Sequence, residues 1–326
     1  MQKLFHRIVT FLFCLLLCVQ FFAAAPGEDV EDKITEFMNE RGLNASNFSV
    51  SYFNLVSGES YAFNADVYRP VGKLRFLPTH MYYYEEETKG TFEPVLEDEP
   101  VFTIDGMSLE ECRYYSIILS EDTVSEKMQA QIGSSTQYLE LINNCYGMQE
   151  LDSLPGEYWE KQSLSVEFLM NCIQIIATRP ERFNGMMSNY RMVQKADAFA
   201  NGSIAYPIVQ IRGEEDGYIT AIAEISAPQN FLVVASVKAT ADGDEVLGDL
   251  CKTLCNYVLE SMGETVEEQT TAPTHSGSPN YYIGQDRMEK DNTLSRWLFI
   301  TFAIAGALAA VAVVIHLIWK SKHRQY

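Results

Sequence analysis

Residues 68–87 read YRPVGKLRFLPTHMYYYEEE. The stretch follows two strand-like segments joined by a tight turn, and it opens an apolar, aromatic run that Gly90 brings to an end. A run of this kind, placed after a hairpin and closed by glycine, predicts a buried helix. The order predicted from the residues is therefore a hairpin, then a loop, then the central helix of a domain.

The two segments before this stretch have the residue pattern of a β-hairpin. Apolar residues alternate with small or polar ones on both sides of a Ser57-Gly-Glu59 turn. This period of two is typical of strands that bury one face. The alternating apolar residues are Phe48, Val50, Tyr52, Tyr61 and Phe63.

The hairpin and the helix after it resemble the class A β-lactamases and related penicillin-recognising serine hydrolases. Residues 52–66 read YFNLVSGESYAFNAD, which is similar to the first two strands of that family. The family then carries Ser-x-x-Lys followed by Leu-Pro, with the serine as nucleophile and the lysine as its proton partner. If Leu77-Pro78 is laid on that Leu-Pro, the serine position falls on Lys73 and the lysine position on Phe76. The resemblance therefore implies a degenerate catalytic site.

Two further motifs of the family fall on altered residues. The resemblance places Ser-Asp-Asn on Ser120, Glu121 and Asp122, although a plain corner between two helices explains these residues nearly as well. It places Lys-Thr-Gly, whose lysine attracts the substrate carboxylate, on a second triplet. That triplet is Ile211, Arg212 and Gly213.

Periodicity outside these motifs predicts one helix before the hairpin, a block of helices after the central helix, then three strands and a closing helix. Apolar residues at helical spacing, capping boxes and closing glycines predict the helices. A period of two predicts three strands separated by turns. The helices are 28–41, 108–119, 123–132, 137–146, 163–177 and 245–262, with boxes at Ser108–Glu111 and Thr123–Glu126; the strands are 204–213, 218–225 and 231–238. Together with the hairpin they predict an α+β, β-lactamase-like domain with a five-stranded antiparallel sheet flanked by helices.

Both ends of the chain have the composition of targeting segments. Residues 1–25 have the basic start, apolar run and small residues of a secretory signal peptide, although a first membrane anchor is the alternative. Residues 296–319 are long and apolar enough to cross a bilayer, and the basic tail 320–326 follows at once. The sequence therefore predicts a single-pass membrane protein with its domain, 26–262, extracytoplasmic. A Thr/Ser/Pro/acidic stalk, 263–295, is expected to be disordered, and the tail cytoplasmic.

The net charge of the chain limits the classes of partner that are expected. The two end segments contain six of the 24 basic residues and none of the 44 acidic ones: Lys3, Arg7, Arg296, Lys320, Lys322 and Arg324. The remaining 18 basic and 44 acidic residues give the rest a net charge of −26. Such a charge argues against nucleic acid or anionic lipid as a partner and favours cations or basic ligands.

Catalytic and metal-binding alternatives find little support in the residues. No serine stands three positions before any lysine, and His80, the only histidine between the end segments and the stalk, falls in the apolar helix run. No phosphate-binding glycine loop is present, so neither a cofactor nor a metal is predicted. The cysteines lack paired spacing and are expected to be buried, unbridged side chains: Cys112, Cys145, Cys172, Cys251 and Cys255.

The function expected from these observations is that of a non-catalytic binding or interaction module at a bacterial cell surface. Its partners would be cell-wall fragments or another surface protein. In this reading Lys73 forms an ion pair with Asp122 that fills the old site; the alternative is a Lys73 that points to solvent. Two rival functions remain, an active serine hydrolase on β-lactams or cell-wall peptides that uses Ser120 as nucleophile, and a structural spacer.

Overall fold

The computed structural model describes residues 29–92, 102–191, 206–239 and 242–263. The predicted signal peptide, the stalk beyond Gly263, the predicted membrane span and the basic tail lie outside these residues. Within the described part of the chain, no helix combines the length and the apolar character that a membrane crossing needs.

The described residues form an α+β domain. Its strands are β1 (Phe48–Asn54), β2 (Ser60–Phe63), β3 (Tyr68–Arg69), β4 (Leu164–Ser165), β5 (Ile208–Glu215), β6 (Tyr218–Ile225) and β7 (Phe231–Lys238). Its α-helices are α1 (Val30–Arg41), α2 (Leu77–Thr88), α3 (Leu109–Arg113), α4 (Asp122–Ile132), α5 (Ser135–Tyr146), α6 (Gly156–Lys161), α7 (Val166–Thr178), α8 (Met186–Arg191) and α9 (Gly243–Ser261). A 3₁₀ turn at Gly72–Phe76 leads into α2, and a π turn at Tyr114–Ile118 follows α3.

Five of these strands form one antiparallel sheet in the order β2-β1-β7-β6-β5. The hairpin of β1 and β2 therefore lies beside β7, although about 170 residues separate them in the chain. Val50 of β1 is paired with Phe63 of β2 on one side and with Ala235 of β7 on the other. The predicted antiparallel five-stranded sheet is confirmed.

Side chains of β7 divide the interior into two layers. Phe231, Val233 and Val237 face the layer that α1 and α9 cover, whereas Leu232 and Val234 face the helical block around α2 and α7. This is the period of two expected for a strand, here with both faces buried. The sheet therefore separates two apolar cores.

The central helix α2 is tied to its neighbours by a buried carboxylate, Glu85. Its oxygens accept hydrogen bonds from the Arg182 guanidinium at 2.6 Å and from the Tyr146 hydroxyl at 3.0 Å. Burial alone raises the pKa of Glu85, but these bonds and one from Lys89 together hold it below its ordinary value. The charged carboxylate is thus the form that the fold stabilises.

Three local predictions need correction. The Thr123–Glu126 capping box is not used, because α4 already begins at Asp122 with Glu121 as its N-cap. The predicted helix 163–177 begins at Val166, since Leu164 and Ser165 pair with β3 first and Ser165 then caps the helix. Cys145 is exposed, whereas the other four cysteines of the domain are buried and all five are free thiols, as predicted.

We predict that Val50→Asp or Phe231→Asp unfolds the domain. Both side chains are fully buried in the layer under α1 and α9, where an unpaired carboxylate has no partner. An uncompensated buried charge costs about 3–5 kcal/mol, a large part of the roughly 5–15 kcal/mol by which an ordinary domain is stable. Thermal unfolding followed by circular dichroism measures the loss. Val56→Asp, at a position that is 60% exposed, is the matched control and should melt like the parent. If all three variants melt together, the strand placement is wrong.

Candidate functional site

The 3₁₀ turn before α2 positions Lys73 and Phe76. Side chains three residues apart eclipse one another in a 3₁₀ helix, so these two stand on the same side of the turn. Phe76 is buried, and Pro78 in the first turn of α2 favours the start of the helix there. The turn therefore presents an ammonium and an apolar ring where the resemblance implies a nucleophile and its base.

Strand β5 lies against this turn at two glycines. A Cβ on Gly213 would fall far inside van der Waals contact with the Val71 carbonyl oxygen, and one on Gly72 would lie 2.8 Å from the Glu214 nitrogen. The Gly72 N–H also donates to a Glu215 carboxylate oxygen at 3.0 Å. This close approach of two backbones fixes the distance between β5 and Lys73.

The corner between the π turn and α4 brings Ser120 to the same place. Ser120 has a φ of 56°, in the left-handed region that a non-glycine residue seldom adopts. Its Oγ accepts a hydrogen bond from the Lys73 ammonium at 3.2 Å and donates a weak one to the Ile117 carbonyl at 3.5 Å. Lys73 and Ser120 therefore meet across the site.

Two spaces adjoin this pair. The first, here called the Lys73 groove, has a volume of about 430 Å³ and is lined by Gly72, Lys73, Arg75, Ser120, Asp122 and residues 212–215. The second, here called the buried cavity after the buried residues that form most of its lining, is partly open to solvent and offers about 20 Å³ to the centres of water molecules. It is lined by Lys73, Leu74, Phe76, Leu77, His80, Ser116, Ile117, Ser120, Asp122, Ser125, Tyr190 and Ile211. Lys73, Ser120 and Asp122 line both.

Seven of the eight residues predicted for the degenerate pocket line one or both spaces. Phe76 and Ile211 line only the buried cavity, and Arg212 and Gly213 line only the groove. Glu121 lines neither and serves as the N-cap residue of α4.

The ion pair expected between Lys73 and Asp122 stays a prediction. The Lys73 ammonium donates a hydrogen bond to Ser120 Oγ at 3.2 Å, and Asp122 lines the same two spaces as these two residues. The Arg212 guanidinium is also engaged, at 2.8 Å from Asp244 of α9 and 2.7 Å from Glu214. The hydrogen bond to Asp244 helps to raise the pKa of Arg212.

Arg75, which belongs to none of the family motifs, was not among the predicted pocket positions but lines the site. Its guanidinium lies 3.2 Å from Glu126 of α4 and 3.8 Å from Glu215 at the end of β5. It also lines a neighbouring space of about 410 Å³, bounded by α4, the start of α5 and the end of α6. Arg75 therefore stands between two grooves and is ion-paired to the wall on either side.

His80 and Tyr190 were not predicted as site residues either. His80 is buried, as expected of a helix-packing residue, but it also lines the buried cavity. Its Nδ1 is 2.7 Å from the Tyr190 hydroxyl. Burial lowers the pKa of His80 to about 3, so the ring is neutral at physiological pH. A sequence signal existed in the spacing, since His80 follows Phe76 by one helical turn.

Metal-binding groups are not assembled in the described part of the chain. No three side chains of His, Cys, Asp or Glu type are grouped there in a way that could hold an ion. The residues that line the two spaces supply an amine, hydroxyl groups, a neutral imidazole, carboxylates and guanidinium groups.

Comparisons with known proteins identify the fold. No protein-family model and no curated protein matches the sequence. Among solved structures, a PBP-A variant in acyl-enzyme complex with penicillin G superposes with a TM-score of 0.57 at 13% identity, covering 73% of this chain and 100% of that one. The TLA-1 extended-spectrum β-lactamase gives 0.58 at 10% identity, covering 71% and 100%. A β-lactamase from Chitinophaga pinensis gives 0.55 at 11% identity, covering 70% and 98%.

These likenesses show that the described domain has the fold of the class A β-lactamases and of PBP-A. The resemblance read from the hairpin and from Leu77-Pro78 is thereby confirmed at the level of fold. At 10–13% identity they carry no function over to this chain.

We predict that Gly213→Ala displaces the turn that carries Lys73. The new methyl group meets a backbone oxygen, which cannot move as a flexible side chain can, so overpacking should cost about 1–3 kcal/mol. Urea unfolding measures the change. Gly156→Ala is the matched control, because a Cβ there meets nothing within 4 Å and the residue opens a helix. Equal stability of the two variants would contradict the close packing of β5 on the turn.

Proposed function

We propose that this β-lactamase-like domain is a non-catalytic binding or interaction module at a bacterial cell surface. The observation that carries the proposal is the hydrogen bond from the Lys73 ammonium to Ser120 Oγ, at the position where the fold's hydrolases are expected to hold their nucleophile. The Lys73 ammonium donates a hydrogen bond to Ser120. In a serine hydrolase, the nucleophilic hydroxyl would instead donate to a base.

The remaining pocket positions support the same proposal. A serine nucleophile needs a neighbouring group that takes its proton, and the buried ring of Phe76 cannot do so. A substrate carboxylate needs a cation at the strand position now occupied by Ile211, whose side chain is apolar and buried. With nucleophile and base both replaced, the site retains at most binding and polarisation of a ligand.

The Lys73 groove has the size of a ligand site. Its volume of about 430 Å³ lies in the range of small-molecule pockets, which is roughly 300–1,000 Å³. Its charged lining is mixed, with three cationic side chains and three carboxylates: Lys73, Arg75, Arg212, Asp122, Glu214 and Glu215. A lining of both signs suits a polar ligand that carries both charges, such as a cell-wall peptide fragment, or a charged segment of another surface protein.

A serine hydrolase that acts on β-lactams or cell-wall peptides is the second candidate. The same 3.2 Å contact favours it, because a lysine that reaches the neutral state can accept the proton of a serine hydroxyl. In this arrangement Ser120 is the nucleophile and Lys73 the base, so the lysine stands at the serine position of Ser-x-x-Lys and the serine comes from the Ser-Asp-Asn position. The two candidates predict opposite results with a penicillin.

We predict that the full chain forms no covalent adduct with penicillin G and does not turn over nitrocefin above a heat-denatured control. Intact-mass analysis and absorbance assays measure the two outcomes. Lys73→Ser combined with Phe76→Lys should restore little activity, since Ile211 still cannot attract a carboxylate.

The Ser120→Ala variant is the matched control for that experiment. An adduct on the parent chain that maps to Ser120 and disappears in Ser120→Ala would replace the binding proposal with the hydrolase. An adduct on any other serine would equally end the non-catalytic proposal.

Localisation is the second part of the proposal. We infer that residues 1–25 are removed as a signal peptide, that the domain 26–262 stands outside the cell on the stalk 263–295, and that the helix 296–319 anchors it with the tail 320–326 in the cytoplasm. The apolar span and the basic residues after it support this topology. The strongly acidic remainder of the chain supports a partner other than nucleic acid.

We predict that protease added to intact cells removes the domain and leaves a membrane-bound stub of the span and tail. Immunoblots against a C-terminal tag detect the stub, and cells opened before digestion are the control. A domain that survives on intact cells but is cut in opened ones would overturn the extracytoplasmic assignment.

A further inference from the structure

Two buried polar atoms at the floor of the site lack a hydrogen-bond partner. They are Nε2 of His80 and Oγ of Ser116, neither of which is bonded to any described residue. Both side chains are more than nine-tenths buried, and both line the buried cavity. An unbonded buried polar atom is costly, and two of them around one cavity call for a common partner.

We propose that the buried cavity is an internal water site, in which one water molecule is held by His80 Nε2 and Ser116 Oγ. This inference is independent of whether the domain above is a binding module or a hydrolase. It assigns a binding role to two residues that play no part in the Lys73 groove.

The size of the cavity fits this occupant. A water molecule needs about 10–15 Å³ for its centre, and the cavity offers about 20 Å³. It is therefore large enough for one water and too small for an organic ligand. A dry cavity of this kind is expected to have an apolar lining, whereas the residues that line this one include a histidine, three serines, a lysine and an aspartate.

The chemistry of His80 fits as well. Its Nδ1 is already engaged by the Tyr190 hydroxyl at 2.7 Å, so Nε2 is the ring atom that remains for another partner. Water can donate to a bare ring nitrogen or accept from a protonated one, and it therefore suits either neutral tautomer. The hydroxyl of Ser116 has the same versatility, which lets the three groups settle on one consistent set of bonds.

The position of the cavity links this water to the groove. Lys73, Ser120 and Asp122 line both spaces, so the water site adjoins the residues of the Lys73–Ser120 hydrogen bond. It would connect the groove floor to the His80–Tyr190 pair by hydrogen bonding rather than by packing.

The proposal is tested by whether one substitution lowers or raises the melting temperature. In a hydrated cavity Ser116→Ala removes a ligand of the water, and the melting temperature of the full chain should fall by about 2–4 °C. In a dry cavity the same change deletes an unsatisfied hydroxyl, and the melting temperature should rise. Ser163→Ala is the matched control, because Ser163 Oγ is also buried and unbonded among the described residues but does not line this cavity. A rise in Ser116→Ala equal to that of the control would overturn the proposal.

A direct measurement on the parent chain does not depend on whether a substituted chain folds. In full chain labelled with ¹⁵N and ¹³C at histidine and held in detergent micelles, the His80 ring signal should show a rotating-frame Overhauser contact to a long-lived water. His80→Gln, by losing one ring signal, assigns the resonance. A His80 ring without any water contact would contradict the internal water site.

Discussion

The close approach of β5 to the turn at Val71 and Gly72 is the constraint on which the site depends. Two glycines, one on each backbone, allow the strand and the turn to touch without side chains between them. The Gly72 N–H then bonds to Glu215 of the same strand at 3.0 Å. Because the turn is continuous with α2, this contact aligns the edge of the sheet with the central helix of the helical block. It also sets Lys73 opposite Ser120, which arrives from a third element.

Much of the fold could be predicted because its patterns are local. The alternation in residues 48–63 and in β7 gives strands directly, and the order of elements is enough to suggest the sheet. The errors occur where tertiary contacts, rather than the local sequence, decide where a helix begins. The Thr123 box is a valid local signal, yet α4 starts one residue earlier because Ser120 takes a left-handed conformation and turns the chain at Glu121. Ser165 pairs with β3 and also caps α7, so the helix begins only at the next residue.

The candidate site was predicted only in part, for a related physical reason. Positions such as Lys73, Ser120 and Ile211 follow from aligned motifs, and the structure gathers them around adjoining spaces. Arg75 and His80 belong to no motif of their own. Arg75 has its role because it pairs with Glu126 and Glu215 across the site, and His80 because it bonds to Tyr190. These partners are separated from them by up to about 140 residues in the chain.

Charge is the property of the groove on which the proposed binding function depends. The chain has an excess of 20 acidic residues over basic ones, yet cations line this groove and each has partners. The Arg75 pairs are partly open to solvent, with Glu126 58% and Glu215 38% exposed, and exposed pairs are worth only about 0–1 kcal/mol. A ligand that offers a carboxylate to Arg75, or an amine to the two glutamates, therefore has little to displace. The proposed binding function would use these exchangeable charges, since complementary charge gives a recognition site its specificity.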